Sequence, residues 1–125
     1  MHDMGIIQGI VDAVLENAKG QAVKEIELDI AIGALKHVHG ANVKFWVEEM
    51  LKKEFGEKLK VKLNVETTHP EIKCGCGFNG KVEDFEVTHD MAHLGLYEMS
   101  CPKCGSKDYE IVKGNGAEIK GMRFS

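Results

Sequence analysis

All four cysteines of this 125-residue chain fall in one window, as Cys74-Gly75-Cys76-Gly77 and Cys101-Pro102-Lys103-Cys104-Gly105. Two residues between Cys101 and Cys104 let both thiolates face one ion, and the glycine behind them permits a tight turn. The first pair has the same trailing glycine but a single intervening residue. Four thiolates in two pairs suit a tetrahedral zinc, which needs no redox chemistry. A four-sulfur shell leaves no position for a substrate, so Cys74, Cys76, Cys101 and Cys104 are expected to serve structure rather than catalysis. Reduced thiols packed as small hydrophobes are the alternative. That alternative gives no reason for glycine-flanked pairs. Should the short pair fail to close on the ion, His69 is the substitute donor; otherwise it reads as a solvated turn histidine.

The segments on either side follow different periods. Ile6, Ile7, Ile10, Val11, Val14 and Leu15 recur at helical spacing, with Asp3 as the cap and Gly20 as the stop. Ile26, Leu28, Ile30 and Ile32 then alternate with charged residues, the mark of a strand with one buried face. A second helix, capped at Asn42 and ending at Gly56, is expected to bury Val43, Trp46, Val47, Met50 and Leu51. A second strand carries Leu59, Val61, Leu63 and Val65. After the cysteines, YEIVKGNGAEIKGMRF reads as one or two more strands around Gly114-Asn115-Gly116. Two strands alone make no stable sheet, so this segment is expected to join them. The expected fold is α+β: a small mixed sheet of about three strands with two helices, over residues 1–69 and 107–125, and an inserted zinc-ribbon-like module over 70–106.

Composition narrows the function. A net charge of −4 argues against a chain whose task is to hold phosphate backbones, so no nucleic-acid partner is expected. No apolar run is long enough to span a membrane and no secretory signal is seen, which points to a cytoplasmic protein with reduced cysteines. His89-Asp90-Met91-Ala92-His93 comes close to the zinc-protease pattern His-Glu-x-x-His. Aspartate is one methylene short as a base, no third ligand follows, and the stretch lies between the cysteine pairs. An exposed linker is the plainer reading. Lys36-His37-Val38-His39 follows a strand and reads as a polar turn.

The chain opens Met1-His2-Asp3. The Met1 amine, the His2 amide and the His2 imidazole can close a five- and a six-membered chelate ring on one ion. An amide ionises only for a strongly polarising ion, and planar nitrogen ligation selects Ni(II) or Cu(II). A frayed terminus is the alternative.

MH followed by an acidic residue, IGALKHV, KFWVEEML, SCPKCGS and VKGNGAEIKGMRF occur in an order that resembles the hydrogenase nickel-incorporation proteins, the HypA/HybF family. The resemblance covers nearly the whole chain and is to the archaeal type. It implies a metallochaperone without enzymatic turnover, carrying Ni(II) as transient cargo beside structural Zn(II). It implies delivery to the [NiFe]-hydrogenase large-subunit precursor with the GTPase HypB, by a monomer or else a dimer. The implied nickel donors are Met1, His2 and Asp3, with His89, twelve residues before the CPKC knuckle, from the zinc module. His93 is held in reserve, because the usual Phe-x-Pro-Glu does not follow His89. Cys74-x-Cys76 departs from the family's two-residue spacing. The competing function is a zinc-ribbon adaptor for nucleic acid or protein, using Lys73, Lys81, Lys103 and Lys107, although stacking aromatics are scarce there. A metallohydrolase built on His89 is the third.

Overall fold

The computed structural model describes residues 2–125, without the side chains of His2, Asp3 and His93. Of the expected nickel donors, Met1 therefore lies outside the described residues, as do the side chains of His2, Asp3 and the reserve His93. Two compact units divide the chain. Met1–Ala31, Val38–Glu66 and Glu118–Ser125 form one; Ile32–His37 and Thr67–Ala117 form the other, which holds the cysteines.

The first unit begins with helix α1 (His2–Asn17). The helix starts ahead of Asp3, so Asp3 stands in its first turn instead of capping it. Its apolar stripe buries Ile7, Ile10, Val11 and Val14. Strand β1 (Glu25–Gly33) alternates as expected and is buried outright from Ile30 to Gly33. Helix α2 (Gly40–Phe55) packs on α1 and buries Val43, Val47 and Leu51. It begins two residues before Asn42, with His39 at the N-cap position. Trp46 does not join the core. It is 41% exposed and meets Phe45 edge-on at 5.2 Å, because it sits one residue before Val47 on the outward side of the helix.

Strand β2 (Lys60–Thr68) and strand β8 (Ala117–Phe124) flank β1 in the order β2-β1-β8. Lys60, Lys62 and Asn64 lie beside Glu25, Glu27 and Asp29 in the same chain direction, so β2 is parallel to β1. Parallel neighbours need a crossover, and α2 provides it. The Ser125 and Glu25 backbones exchange N–H···O bonds of 3.0 Å, while Gly33 N–H reaches Gly116 O at 2.7 Å, so β8 is antiparallel. The sheet is mixed.

Its polar face carries one charge ladder. Arg123 Nε lies 3.2 Å from Glu27 and Nη1 lies 3.0 Å from Asp29, while Asn64 donates to both carboxylates. The hydrogen bond from Arg123 holds both carboxyls below their ordinary values, with Asn64 adding to it. A depressed carboxylate contributes stability above its unfolded pKa and loses it as pH falls through the folded one. Arg123→Met should return both groups toward ordinary carboxylate values, and so move the acid transition of this unit to higher pH. Side-chain carboxyl NMR titration measures it. Unchanged midpoints in the variant would contradict the ladder.

In the second unit, β3 (Glu71–Cys74) is central, with β4 (Asn79–Lys81) and β7 (Tyr109–Lys113) antiparallel on its two sides. A two-stranded ribbon joins β5 (Phe85–Glu86) to β6 (Glu98–Met99). A short helix, α3 (His89–His93), lies between them. Leu35, Ile72, Cys74, Val82, Met99 and Cys101 make the core, with Phe78, Phe85, Tyr97, Tyr109 and Ile111 packed against it.

These units differ from the expected 70–106 insert. Residues 107–117 go with the cysteines because β7 pairs with β3, setting Ile111 opposite Ile72 and Tyr109 opposite Cys74. Of the two strands read in YEIVKGNGAEIKGMRF, only β8 completes the sheet of the first unit. The segment Ile32–His37 joins the cysteine unit as well, through Leu35 in its core and the Leu35 N–H bond to Gly114 O at 3.1 Å.

Gly114 is where three backbones crowd. Its φ is +93°, and a Cβ there would lie 2.5 Å from Pro70 Cα and 2.9 Å from His69 O. Left-handed backbone alone costs an alanine about 1–2 kcal/mol, and the clash adds to it. Gly114→Ala should destabilise the cysteine unit by more than that, whereas Gly116→Ala, with open space around it, should be near neutral. Denaturant unfolding of the two variants checks this; equal midpoints would refute it.

Candidate metal centre

Each knuckle is a turn folded back on itself by its own backbone. Cys74 closes β3, its N–H donating to Phe78 O at 2.9 Å while Gly77 N–H returns to Cys74 O at 3.0 Å. Cys101 repeats the pattern, with its N–H on Ser106 O at 2.9 Å and Gly105 N–H on Cys101 O at 2.8 Å. Gly77 and Gly105 sit at φ +100° and +76°, left-handed conformations that favour glycine. That is what the trailing glycines are for.

The two knuckles face each other. Cys74 Sγ is 3.6 Å from Cys104 Sγ, Cys76 Sγ is 3.7 Å from Cys101 Sγ, and all four lie within 4.8 Å of one another. A zinc–sulfur bond of about 2.3 Å in a tetrahedron requires sulfur–sulfur edges of about 3.8 Å. Two of the six edges match that value and none exceeds 4.8 Å, so Cys76 clusters with the other three thiols despite the short Cys74-x-Cys76 spacing. The separations are also far beyond a disulfide bond, and all four cysteines are free. Each knuckle supplies one buried sulfur, Cys74 or Cys101, and one exposed sulfur, Cys76 or Cys104. The buried pair belongs to the unit's hydrophobic core, which ties metal binding to packing.

Without the ion, the thiols divide their protons unequally. Burial opposes ionisation of Cys101, yet the backbone N–H groups of Cys104 and Lys103 and the neighbouring thiols pull it down to about 7. Cys74 goes the other way. The N–H of Cys76 favours its thiolate, but burial and the other three sulfurs outweigh it and push it up to about 11. Zinc must displace such protons, so its hold weakens as pH falls. With four sulfurs the coordination shell is closed, and the centre is structural.

Among the described residues, the four cysteines are the one group of three or more metal-binding side chains close enough to share an ion. His69 is not part of it; its ring meets Phe85 edge-on at 6.5 Å. His89 opens α3, whose N-cap Thr88 accepts the Met91 N–H through Oγ1 at 3.1 Å. The His-Asp-x-x-His stretch is thus one short helix with His89 exposed on it, while His93 lies outside the described residues. By sequence, His37 belongs to a polar turn. The structure sets its ring 6.3 Å from that of His89, centroid to centroid, at 62°. No sequence signal could have paired residues from such distant segments.

A mixed three-stranded sheet with two packed helices, joined to a small unit closed by four thiolates, defines a zinc-stabilised α+β protein with no catalytic position at its zinc. The family described as hydrogenase/urease nickel incorporation metallochaperone HypA matches residues 1–124. The hydrogenase maturation factor HypA of Thermococcus onnurineus is 30% identical over 99% of this chain and 96% of its own length. The same factor from Methanothermobacter thermautotrophicus is 27% identical over 99% of this chain and 97% of its own. The solution structure of the nickel metallochaperone HypA from Helicobacter pylori superposes with a TM-score of 0.61 at 18% identity, covering 96% of this chain and 94% of that one. The chain belongs to the HypA family of nickel-incorporation metallochaperones for hydrogenase maturation.

Proposed function

We propose that this chain takes up Ni(II) at its Met1-His2 start and hands it to the [NiFe]-hydrogenase large-subunit precursor together with the GTPase HypB. The donors in this reading are the Met1 amine and the His2 amide and imidazole, with the fourth planar place taken by His89 from the cysteine unit or else by the Asp3 amide. His93 takes that place if His89 does not. The family match supports the reading, because it covers Met1, His2 and Asp3 along with the rest of residues 1–124. The physical logic is accessibility: nitrogen ligands at a chain end can be dismantled by a partner, whereas a closed thiolate cage holds its ion. Zinc therefore stays and nickel moves, and no turnover of substrate is involved. We place the chaperone in the cytoplasm, as a monomer or else a dimer. The test is nickel binding by protein with a native start, against the same protein extended by one residue ahead of Met1. A zinc-ribbon adaptor, the competing reading, binds nickel weakly and is indifferent to the extension.

A further inference from the structure

We infer that His37 and His89 form a two-imidazole station for Ni(II) on the cysteine unit, apart from the zinc cage and sharing His89 with the Met1-His2 site. The inference rests on the reading of nickel as cargo, and adds to it a ligand and a second place for the ion. Both residues belong to the cysteine unit.

Geometry carries the pairing. A metal–imidazole bond of about 2.0–2.1 Å puts a ring centroid roughly 3.2 Å from the ion, so two imidazoles on one ion have centroids about 4.5 Å apart at a right angle and about 6.4 Å when opposed. The observed 6.3 Å lies within that span. At this separation an ion between the rings would have the two imidazoles in nearly opposed positions. The backbone supports this from both sides. His37 is the one non-glycine residue at positive φ among the described residues, with φ 49° and ψ 51°. Its N–H is bonded to Ala34 O at 3.2 Å, and Leu35, two residues before it, is anchored in the core. A left-handed histidine costs free energy relative to asparagine or glycine, and such strain collects where a side chain must be aimed. His89 is held by the Thr88 cap of α3. Imidazole suits nickel, copper and zinc, and the thiolate cage already satisfies zinc. Two imidazoles leave the remaining positions to water, so the station is six-coordinate and weaker than a planar chelate. An ion held this way can be passed on by exchanging one ligand at a time.

The experiment uses the full, zinc-loaded chain extended by one residue ahead of Met1, which removes the terminal chelate. It is titrated with Ni(II) alone. One nickel per chain should still bind, paramagnetic, with two imidazoles in its X-ray absorption spectrum. His37→Asn keeps a residue that tolerates the left-handed turn. It should weaken this binding at least about tenfold, since even outer-shell partners cost that much. His89→Gln should do the same. The double variant should lose the binding that remains, because each single variant still offers one imidazole to the same ion. His39→Asn, a nearby histidine in sequence, should leave the affinity unchanged. Absence of nickel binding by the extended protein overturns the station, as does His37→Asn protein that binds as the extended parent does. Equal losses from His37→Asn and His39→Asn overturn it too, for they signify unspecific surface binding. The two readings separate cleanly. Failure of the Met1-His2 chelate shows in the native-start protein as a missing planar complex, whereas failure of the station shows only in the extended one.

Discussion

Removing zinc, by chelation or by Cys101→Ala, should unfold the cysteine unit while leaving the helical signal of the other unit in place. The magnitudes favour this outcome. Zinc binding by small thiolate sites contributes about 10–16 kcal/mol near neutral pH. Whole domains are stable by only about 5–15 kcal/mol. The cysteine unit has a core of six buried residues, two of which are the ligands Cys74 and Cys101. Losing the ion therefore removes the metal's contribution and loosens a third of that core at once. NMR resonances of Ile72, Val82 and Ile111 should collapse to unfolded positions, while those of Ile10, Val47 and Leu51 stay dispersed. The same loss should appear on acidification. The Cys74 thiol is pushed up to about 11 without metal, so zinc displaces its proton throughout the neutral range. Zinc affinity should fall as pH drops, by more than a single proton accounts for. A chelated protein whose Ile72 and Val82 resonances remain native would overturn the structural assignment of the centre.

The second large effect concerns the chain's start. His2→Ala and a one-residue N-terminal extension should each abolish the planar nickel complex, for different reasons. The substitution removes the imidazole, which closes the six-membered ring with the His2 amide. The extension leaves the imidazole in place but moves the amine out of its five-membered ring. Planar nitrogen ligation makes Ni(II) diamagnetic and yellow, whereas six-coordinate nickel is paramagnetic and pale, so the two are told apart by colour and by magnetic susceptibility. Protons compete at the amine, with a reference pKa of about 8, and at the imidazole, about 6.5. Formation of the yellow species should therefore fall off steeply below neutrality. Undiminished planar binding in the extended protein would show that the Met1 amine is not a ligand.

Local chemistry was legible in the sequence. Alternation of Ile26, Leu28 and Ile30 with charged neighbours specifies a one-sided strand, because successive side chains point to opposite faces. The 3.6-residue stripe from Ile7 to Val14 specifies a helix in the same way. The four ligands were legible too, since thiolates and trailing glycines declare a knuckle within a few residues. Signals that act over less than ten residues survive without the fold.

What the sequence left open was settled by pairing across long loops. Asn42 looked like a helix cap, yet α2 starts at Gly40. Trp46 looked like core but faces outward, because the register of α2 is set by Val43, Val47 and Leu51 against the rest of the unit. YEIVK and AEIKGMRF are both strand-like by pattern. Only the choice of neighbour decides that β7 pairs with β3 and β8 with β1, and that choice turns on crowding at Gly114 and on Ile111 meeting Ile72. The approach of His37 to His89 is of the same kind: no periodicity links them, and only the folding of Ile32–His37 into the cysteine unit brings the two rings together. Thus the residues fixed which elements form and which atoms bind zinc, whereas the tertiary structure alone decided which strands and which histidines became neighbours.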